Sequence, residues 1–341
     1  MAAAAAFREG IRRVNHAPVV VAGMFAVTLL VSLPLAYALE TMIAAHLGAS
    51  LAAESLATGT NYDWWQEFSA QATGLGTTFV PTISGFAAVL NNLSGFMDRA
   101  PLAATIVGVT AAWMVLWSFL SGGVIDRLAR ARRTRSHGFF AACGMHFWRL
   151  LRLGAIAWVV YAILFGLVHG WIFSDAYGWL TRDLTVERTG FAVRVGAYAI
   201  FGLLLIACNI IFDYARIRIV VEDRRSAIAA VLSGARFVRR HAAGVLGLYG
   251  LNAVAFLLLI AVYALAAPGA PTSGVWMWVA LVLGELYIVG RHYLKLLFYA
   301  SETAFFQGAL AHAAYTAAPV PVWPDSPAAE MIANPDRTVT S

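Results

Sequence analysis

Glu285 is the residue whose type and place most invite chemistry. It lies about ten residues into the apolar run Val275–Phe298, near mid-membrane at roughly 1.5 Å of rise per residue. An ionisable group at that depth costs a few kcal/mol, so it should face other helices and find a partner. His292, seven residues on, shares its helical face, and Asn252, at similar depth in the preceding run, is the expected partner. Glu285, His292 and Asn252 therefore form a candidate intramembrane polar site, suited to a proton, a cation or a gate. The same groups would equally serve to fix helix packing through a hydrogen-bonded carboxyl.

A second set sits where another apolar run ends. Asn209, Asp213 and Arg216 fall at i, i+4 and i+7, on one face of a helix that continues past Phe212. Asp126, Arg130 and Arg133 repeat that spacing after an earlier run, and Lys295, Tyr299 and Glu302 continue the last one. Arg291 could pair with Asp213. Asp213, Arg216 and Arg291 are thus candidates for structural ion pairs.

Other chemistry finds little support. The eight histidines show no metal spacing and there is no HExxH. Ser121 lacks the glycine two residues before it that a nucleophile elbow needs. The only lysine, Lys295, has no glycine-rich approach, so no phosphate loop is expected. Cys143 and Cys208 read as small apolar packing residues, without a disulfide framework. No catalytic residue, metal or cofactor is expected.

The elements that must position these groups are membrane helices. Of 341 residues, 60% are hydrophobic and only 12% are charged, too few charges to cover a water-facing surface. The apolar residues come in runs of about twenty, the length of a bilayer-crossing helix. The expected fold is all-α, a polytopic membrane helix bundle within residues 1–318, with spans near 18–39, 102–121, 150–173, 191–212, 242–265 and 275–298. Pro34 could kink the first span. Ala36-Tyr37-Ala38 imitates a signal-peptidase site, but the apolar stretch is longer than a signal core, so the span should be retained. A turn, Pro268-Gly269-Ala270-Pro271, should join the last two spans. Residues 319–341, rich in proline and small residues, read as a disordered cytoplasmic tail.

Arginine sets the expected threading. Net charge is +6, and the basic residues gather in the amino-terminal segment and after spans two and four. The intervals after spans one, three and five hold only Arg99, Arg182 and Arg188. Arginine is costly to translocate, so both termini should lie in the cytoplasm. Residues 40–100 then form a periplasmic or extracellular segment. Its aromatic cluster, Tyr62, Trp64, Trp65 and Phe68, suits the headgroup boundary. Ile83, Phe86, Leu90, Leu93 and Met97 repeat as one face of an interfacial helix. Clustered arginine beside apolar runs also argues for anionic lipid headgroups as partners, not nucleic acid.

The chain also repeats. At a shift of ninety positions, Arg135, Ser136, Gly144, Phe147, Arg149 and Gly154 fall on Arg225, Ser226, Gly234, Phe237, Arg239 and Gly244. The unit reads as span, cytoplasmic helix and returning span, with each serine a candidate N-cap. In the second copy Ile228, Val231, Leu232, Ala235 and Val238 form an apolar stripe beside Arg236, Arg239 and Arg240. Such a helix can lie flat on the inner leaflet. Arg236, Arg239, Arg240, Arg149 and Arg152 are the expected lipid-headgroup contacts.

The run Ser121-Gly122-Gly123-Val124-Ile125-Asp126-Arg127, the exit Asp213-Tyr214-Ala215-Arg216 and the Arg225-Ser226 helix resemble bacterial six-span membrane proteins. That group includes the membrane domain attached to some glycerophosphodiester phosphodiesterases. The resemblance covers spans two to six and implies a helical membrane domain. The phosphodiesterase barrel is absent, so it implies no such activity. The expected function is a non-enzymatic scaffold or accessory membrane component with lipid-facing helices. The alternative is a transporter or channel component using Glu285. A homo-oligomer or a membrane partner protein is compatible with either.

Overall fold

A bilayer offers backbone groups no partners, so apolar runs of this length must satisfy their own hydrogen bonds as helices. The computed structural model describes residues 2–48, 50–58, 61–80, 87–99, 104–130, 135–267 and 274–310. Among them there is no strand. The Pro268–Pro271 turn, Arg132, Arg133, Ile83, Phe86 and the tail from Pro319 lie outside the described residues.

The helices are α1 (Ala3–Asn15), α2 (Pro18–Leu47), α3 (Ala52–Thr58), α4 (Tyr62–Gln71), α5 (Ala87–Met97) and α6 (Ala104–Arg130). They continue with α7 (Ser136–Ile163), α8 (Tyr177–Thr181), α9 (Glu187–Val221), α10 (Ala227–Arg240), α11 (Ala242–Ala266) and α12 (Val275–Ala309). Two π-helical stretches, Leu164–Val168 and Trp171–Ala176, join α7 to α8. The chain is an all-α polytopic bundle. Five helical stretches are long and apolar enough to cross a membrane, and at most 22% of the apolar window of any of them is buried. Their remaining side chains point outward, as lipid-solvated surfaces do. The expected sixth span lies in α12, which has the length but carries Glu285, Arg291 and Lys295, and it is not among those five.

α9 and α12 have 35 residues each. That is about 52 Å of helix against about 30 Å of hydrocarbon. The surplus is enclosed by protein. From Phe212 to Val221 every residue of α9 but Arg216 is buried, and from Leu296 to Gln307 every residue of α12 but Phe298. A helix enclosed all round needs neighbours on every side. The end of α6, α10 and α1 supply them.

α1 was read only as a short basic segment; it is an amphipathic helix docked on α12. Its small residues Ala6 and Gly10 and then Val14 recur every four positions and are buried. Arg13 donates to the Leu128 carbonyl at 3.2 Å and to Gln307 Oε1 at 2.8 Å, while Gln307 donates to the Ala129 carbonyl at 3.2 Å. These bonds satisfy carbonyls that the last turn of α6 leaves open. Hydrogen bonding from Arg12 holds the Glu9 carboxyl below its ordinary range.

α10 packs on α9 through Gly234, where a Cβ would come within 3.1 Å of the Ile211 carbonyl oxygen. Its Ser226 N-cap accepts from the Ala229 amide at 3.3 Å. The two sequence repeats differ here. α10 and α11 are separate helices broken at His241, whereas in the first copy helix and span are one continuous α7. Ser136 is the first residue of α7 and its side chain is not the cap. Gly144, aligned with Gly234, has open space where a Cβ would stand.

The aromatic cluster of the 40–100 segment also departs from expectation. Trp64 and Phe68 are buried, stacked at 5.2 Å, with His46 edge-on to both. α2 runs through Pro34 to Leu47 and so brings His46 to them. Tyr62 remains exposed.

α6 and α7 form a hairpin closed by glycine. A Cβ on Gly123 would meet the Phe139 carbonyl oxygen at 2.8 Å and Cys143 Sγ at 2.5 Å. Gly123→Ala should therefore lower stability by about 1–3 kcal/mol. Gly144→Ala, with nothing within 4 Å, should be neutral or slightly stabilising. Thermal unfolding of the two detergent-solubilised variants checks the contrast.

Candidate functional site

Two of the polar faces read from the sequence, Asn209–Asp213–Arg216 and Lys295–Tyr299, meet in one cleft. Ile206, Asn209, Asp213 and Arg216 of α9 line it from one side. Ile288, Arg291, His292, Lys295 and Tyr299 of α12 line it from the other, at the three- and four-residue spacing of a single helical face. α6 adds Trp113, Met114 and Trp117, α11 adds Tyr249, Ala253, Phe256 and Leu257, α2 adds Thr28 and α5 adds Leu93. The volume is about 1110 Å³.

The cleft is graded along its length. At the end nearest α1 and α10, Arg216 donates to Asp213 Oδ1 at 2.5 Å and to the Tyr299 hydroxyl at 3.1 Å. Asn209 donates to Asp213 Oδ2 at 2.9 Å. The Asp213 carboxylate is thus bonded on both oxygens, as a buried charge must be. One helical turn above Tyr299, Lys295 Nζ stands 3.6 Å from the centre of the Trp117 ring, a cation–π contact. A further turn up, Arg291 lies over Tyr287 at 5.8 Å. His292 Nε2 meets Thr28 Oγ1 at 3.0 Å. Ile206 and Ile288 stand beyond them, and α11 adds an apolar wall alongside the cations through Ala253, Phe256 and Leu257.

Charge does not balance in this space. Three basic side chains, Arg216, Arg291 and Lys295, face one carboxylate, Asp213. Asp213 is committed to Arg216. Among the described residues neither Arg291 nor Lys295 has a carboxylate within salt-bridge distance. Glu302 lies one turn past Tyr299, buried, its Oε2 without a hydrogen-bond partner. Burial, reinforced by the Asp213 charge, pushes the Glu302 carboxyl well above its ordinary range, so it does not neutralise the cations.

Two pairings expected from sequence do not form. Arg291 does not reach Asp213: it stands eight residues above Tyr299, about 12 Å along α12 from the level of the Asp213–Arg216 pair. Asn252 does not meet Glu285. It is fully buried and donates to Ser301 Oγ at 3.0 Å. The cause is the register between α11 and α12. Gly244 faces Phe305, Leu259 packs on Gly290, and Tyr263 stacks on Tyr287 at 4.3 Å. This antiparallel register sets Asn252 beside the enclosed end of α12 and Glu285 beside the last turn of α11. Glu285 is partly buried, with Oε2 unpartnered, and it does not line the cleft.

The arginines expected at lipid headgroups divide. Arg236, Arg239, Arg240 and Arg152 are exposed. Arg149 is not free for lipid: it forms an ion pair with Asp223 and donates to its carbonyl at 3.3 Å, tying α7 to the bend before α10. Asp223 holds that bend with φ of 52°.

Chemically the cleft joins basic side chains to apolar walls. The Thr28–His292 contact pairs a hydroxyl with an imidazole, but Thr28 Oγ1 also donates to the Met24 carbonyl at 2.9 Å and no carboxylate orients the ring among the described residues. That is poor geometry for a nucleophile and base.

Removing the Arg216 side chain should be the most damaging single change here. Arg216→Ala leaves Asp213 enclosed without its cation and should cost about 3–5 kcal/mol. Tyr299→Phe removes one hydrogen bond to a charged group and should cost about 1.5–3 kcal/mol. Unfolding midpoints of purified protein in detergent, with Asp213→Asn/Arg216→Gln as the variant that recovers part of the loss, measure both. Compared with protein-family models, with curated proteins and with solved structures, the chain matches none.

Proposed function

We propose that the chain is a non-enzymatic accessory component of a bacterial inner membrane that works through contact with lipid. One observation carries this reading. α10 presents Ile228 and Leu232, 65% and 57% exposed, on the side away from the bundle, with Arg236, Arg239 and Arg240 exposed near them. Its other face, Ala227, Ala230, Gly234 and Phe237, is fixed in the core. Apolar side chains flanked by arginines form the pattern of a helix seated among acyl chains and phosphates. The arginine-rich end then faces the cytoplasm, with both termini there and α12 as a sixth span.

The alternative, a transporter or channel component using Glu285, is favoured by its unpartnered buried oxygen. Proton flux in proteoliposomes that is unchanged by Glu285→Gln would eliminate it.

Two measurements test the leading reading in a background lacking Cys143 and Cys208. Nitroxides at positions 228 and 232 should be relaxed more by oxygen than by a water-soluble nickel complex, and Ile228→Asp/Leu232→Asp should reduce membrane assembly several-fold. Assembly and oxygen exposure at wild-type levels would refute lipid seating of α10. A cysteine at position 225 should be labelled by impermeant maleimide only after cells are opened.

A further inference from the structure

The cleft between α9 and α12 is independent of the α10 surface. It is large, its two faces differ in character, and its cations outnumber its anions. A cation at membrane depth without a counter-charge is unfavourable; Lys295 is half-buried, and Arg291 is exposed at the open part of the cleft. Arg291 and Lys295 are one turn apart on the same face of α12, about 6 Å between their Cβ atoms, and both open into the cleft. Arginine can grip a phosphate with two parallel N–H bonds, and a lysine ammonium adds a point charge beside it. Tyr299 and Trp117 supply a further donor and an aromatic wall at the same level. Beside this basic ladder α11 lines the cleft with Phe256 and Leu257, and Ile206 and Ile288 continue the apolar lining above it, so whatever the cations hold is continuous with a hydrocarbon-like space. A free phosphate would use only the lower part of about 1110 Å³, a volume at or beyond the upper end of ordinary ligand pockets.

We propose that this cleft is a binding site for one anionic phospholipid, its phosphate on Arg291 and Lys295 and an acyl chain along Ile206, Phe256 and Leu257. Arg216 is held by Asp213 and closes the floor. The lipid's charge offsets the two unpaired cations, and its chain fills the apolar walls. The specificity is for headgroup charge joined to a chain, so neither a zwitterionic lipid nor a soluble phosphate satisfies both parts.

The full chain, purified in a non-ionic detergent and stripped of lipid, is titrated with phosphatidylglycerol, phosphatidylcholine or glycerol 1-phosphate, and bound lipid is counted by native mass spectrometry. The wild type should retain one phosphatidylglycerol with at least tenfold preference over phosphatidylcholine and bind no glycerol 1-phosphate. Arg291→Gln/Lys295→Gln should lose that preference about tenfold. Ile206→Trp, which adds bulk above the level of Arg291 and removes no charged group, should lower retention of phosphatidylglycerol while circular dichroism stays native. It keeps the test alive should the double variant fail to fold. Equal retention of the two lipids, wild-type retention by the variants, or glycerol 1-phosphate binding as tightly as phosphatidylglycerol would overturn the proposal. Loss of retained lipid only in the Ile228→Asp/Leu232→Asp variant would assign the lipid to α10 and also overturn the cleft.

Discussion

The length of α9 and α12 governs this architecture. Each outruns the hydrocarbon by roughly 20 Å. Their surplus turns are apolar enough that water is a poor neighbour and lipid is out of reach. Protein must enclose them, and the remaining parts at that end are arranged to do so. α1 lies along α12, α10 lies across α9, and the last turn of α6 is tied to both by Arg13 and Gln307. The result is a protein-like core attached to a bundle whose other surfaces are left to lipid.

The same geometry explains where polar groups are placed. Asp213, Arg216 and Tyr299 mark the level at which the bundle changes from open to enclosed. Above them the helices diverge enough to leave a cleft. Below them Ser301, Asn252 and Glu302 are locked among tightly packed neighbours. Arg291 and Lys295 fall on the open side of that boundary, which is why they contact aromatic rings and cavity in place of carboxylates.

Sequence patterns carry the helices and their faces well, because a run of twenty apolar residues has few other fates. The Asn209–Asp213–Arg216 face and the extension of α12 through Tyr299 and Glu302 were legible for that reason. Partner choice was not. The register of α11 on α12 depends on Gly244 meeting Phe305, a contact between residues some sixty positions apart with no local signal in either. Depth counted from the start of span six therefore placed Asn252 wrongly relative to Glu285. α1 was missed as a packing element because its buried face is Ala6, Gly10 and Val14: small side chains give a weak apolar pattern yet allow the closest approach. Arg149 and Arg236 look alike in sequence, and only the bend at Asp223 separates an ion pair from a surface arginine.

The docking of α1 on the far end of α12 has a consequence for biogenesis. α1 leaves the ribosome well before α12, the helix on which it has its seat. At typical elongation rates the interval between them is on the order of tens of seconds. Throughout that time α1 has an exposed apolar face and no mate, while the bundle it will close is still being threaded. Closure of the enclosed core thus waits until α12 has been made, and α1 is its latch.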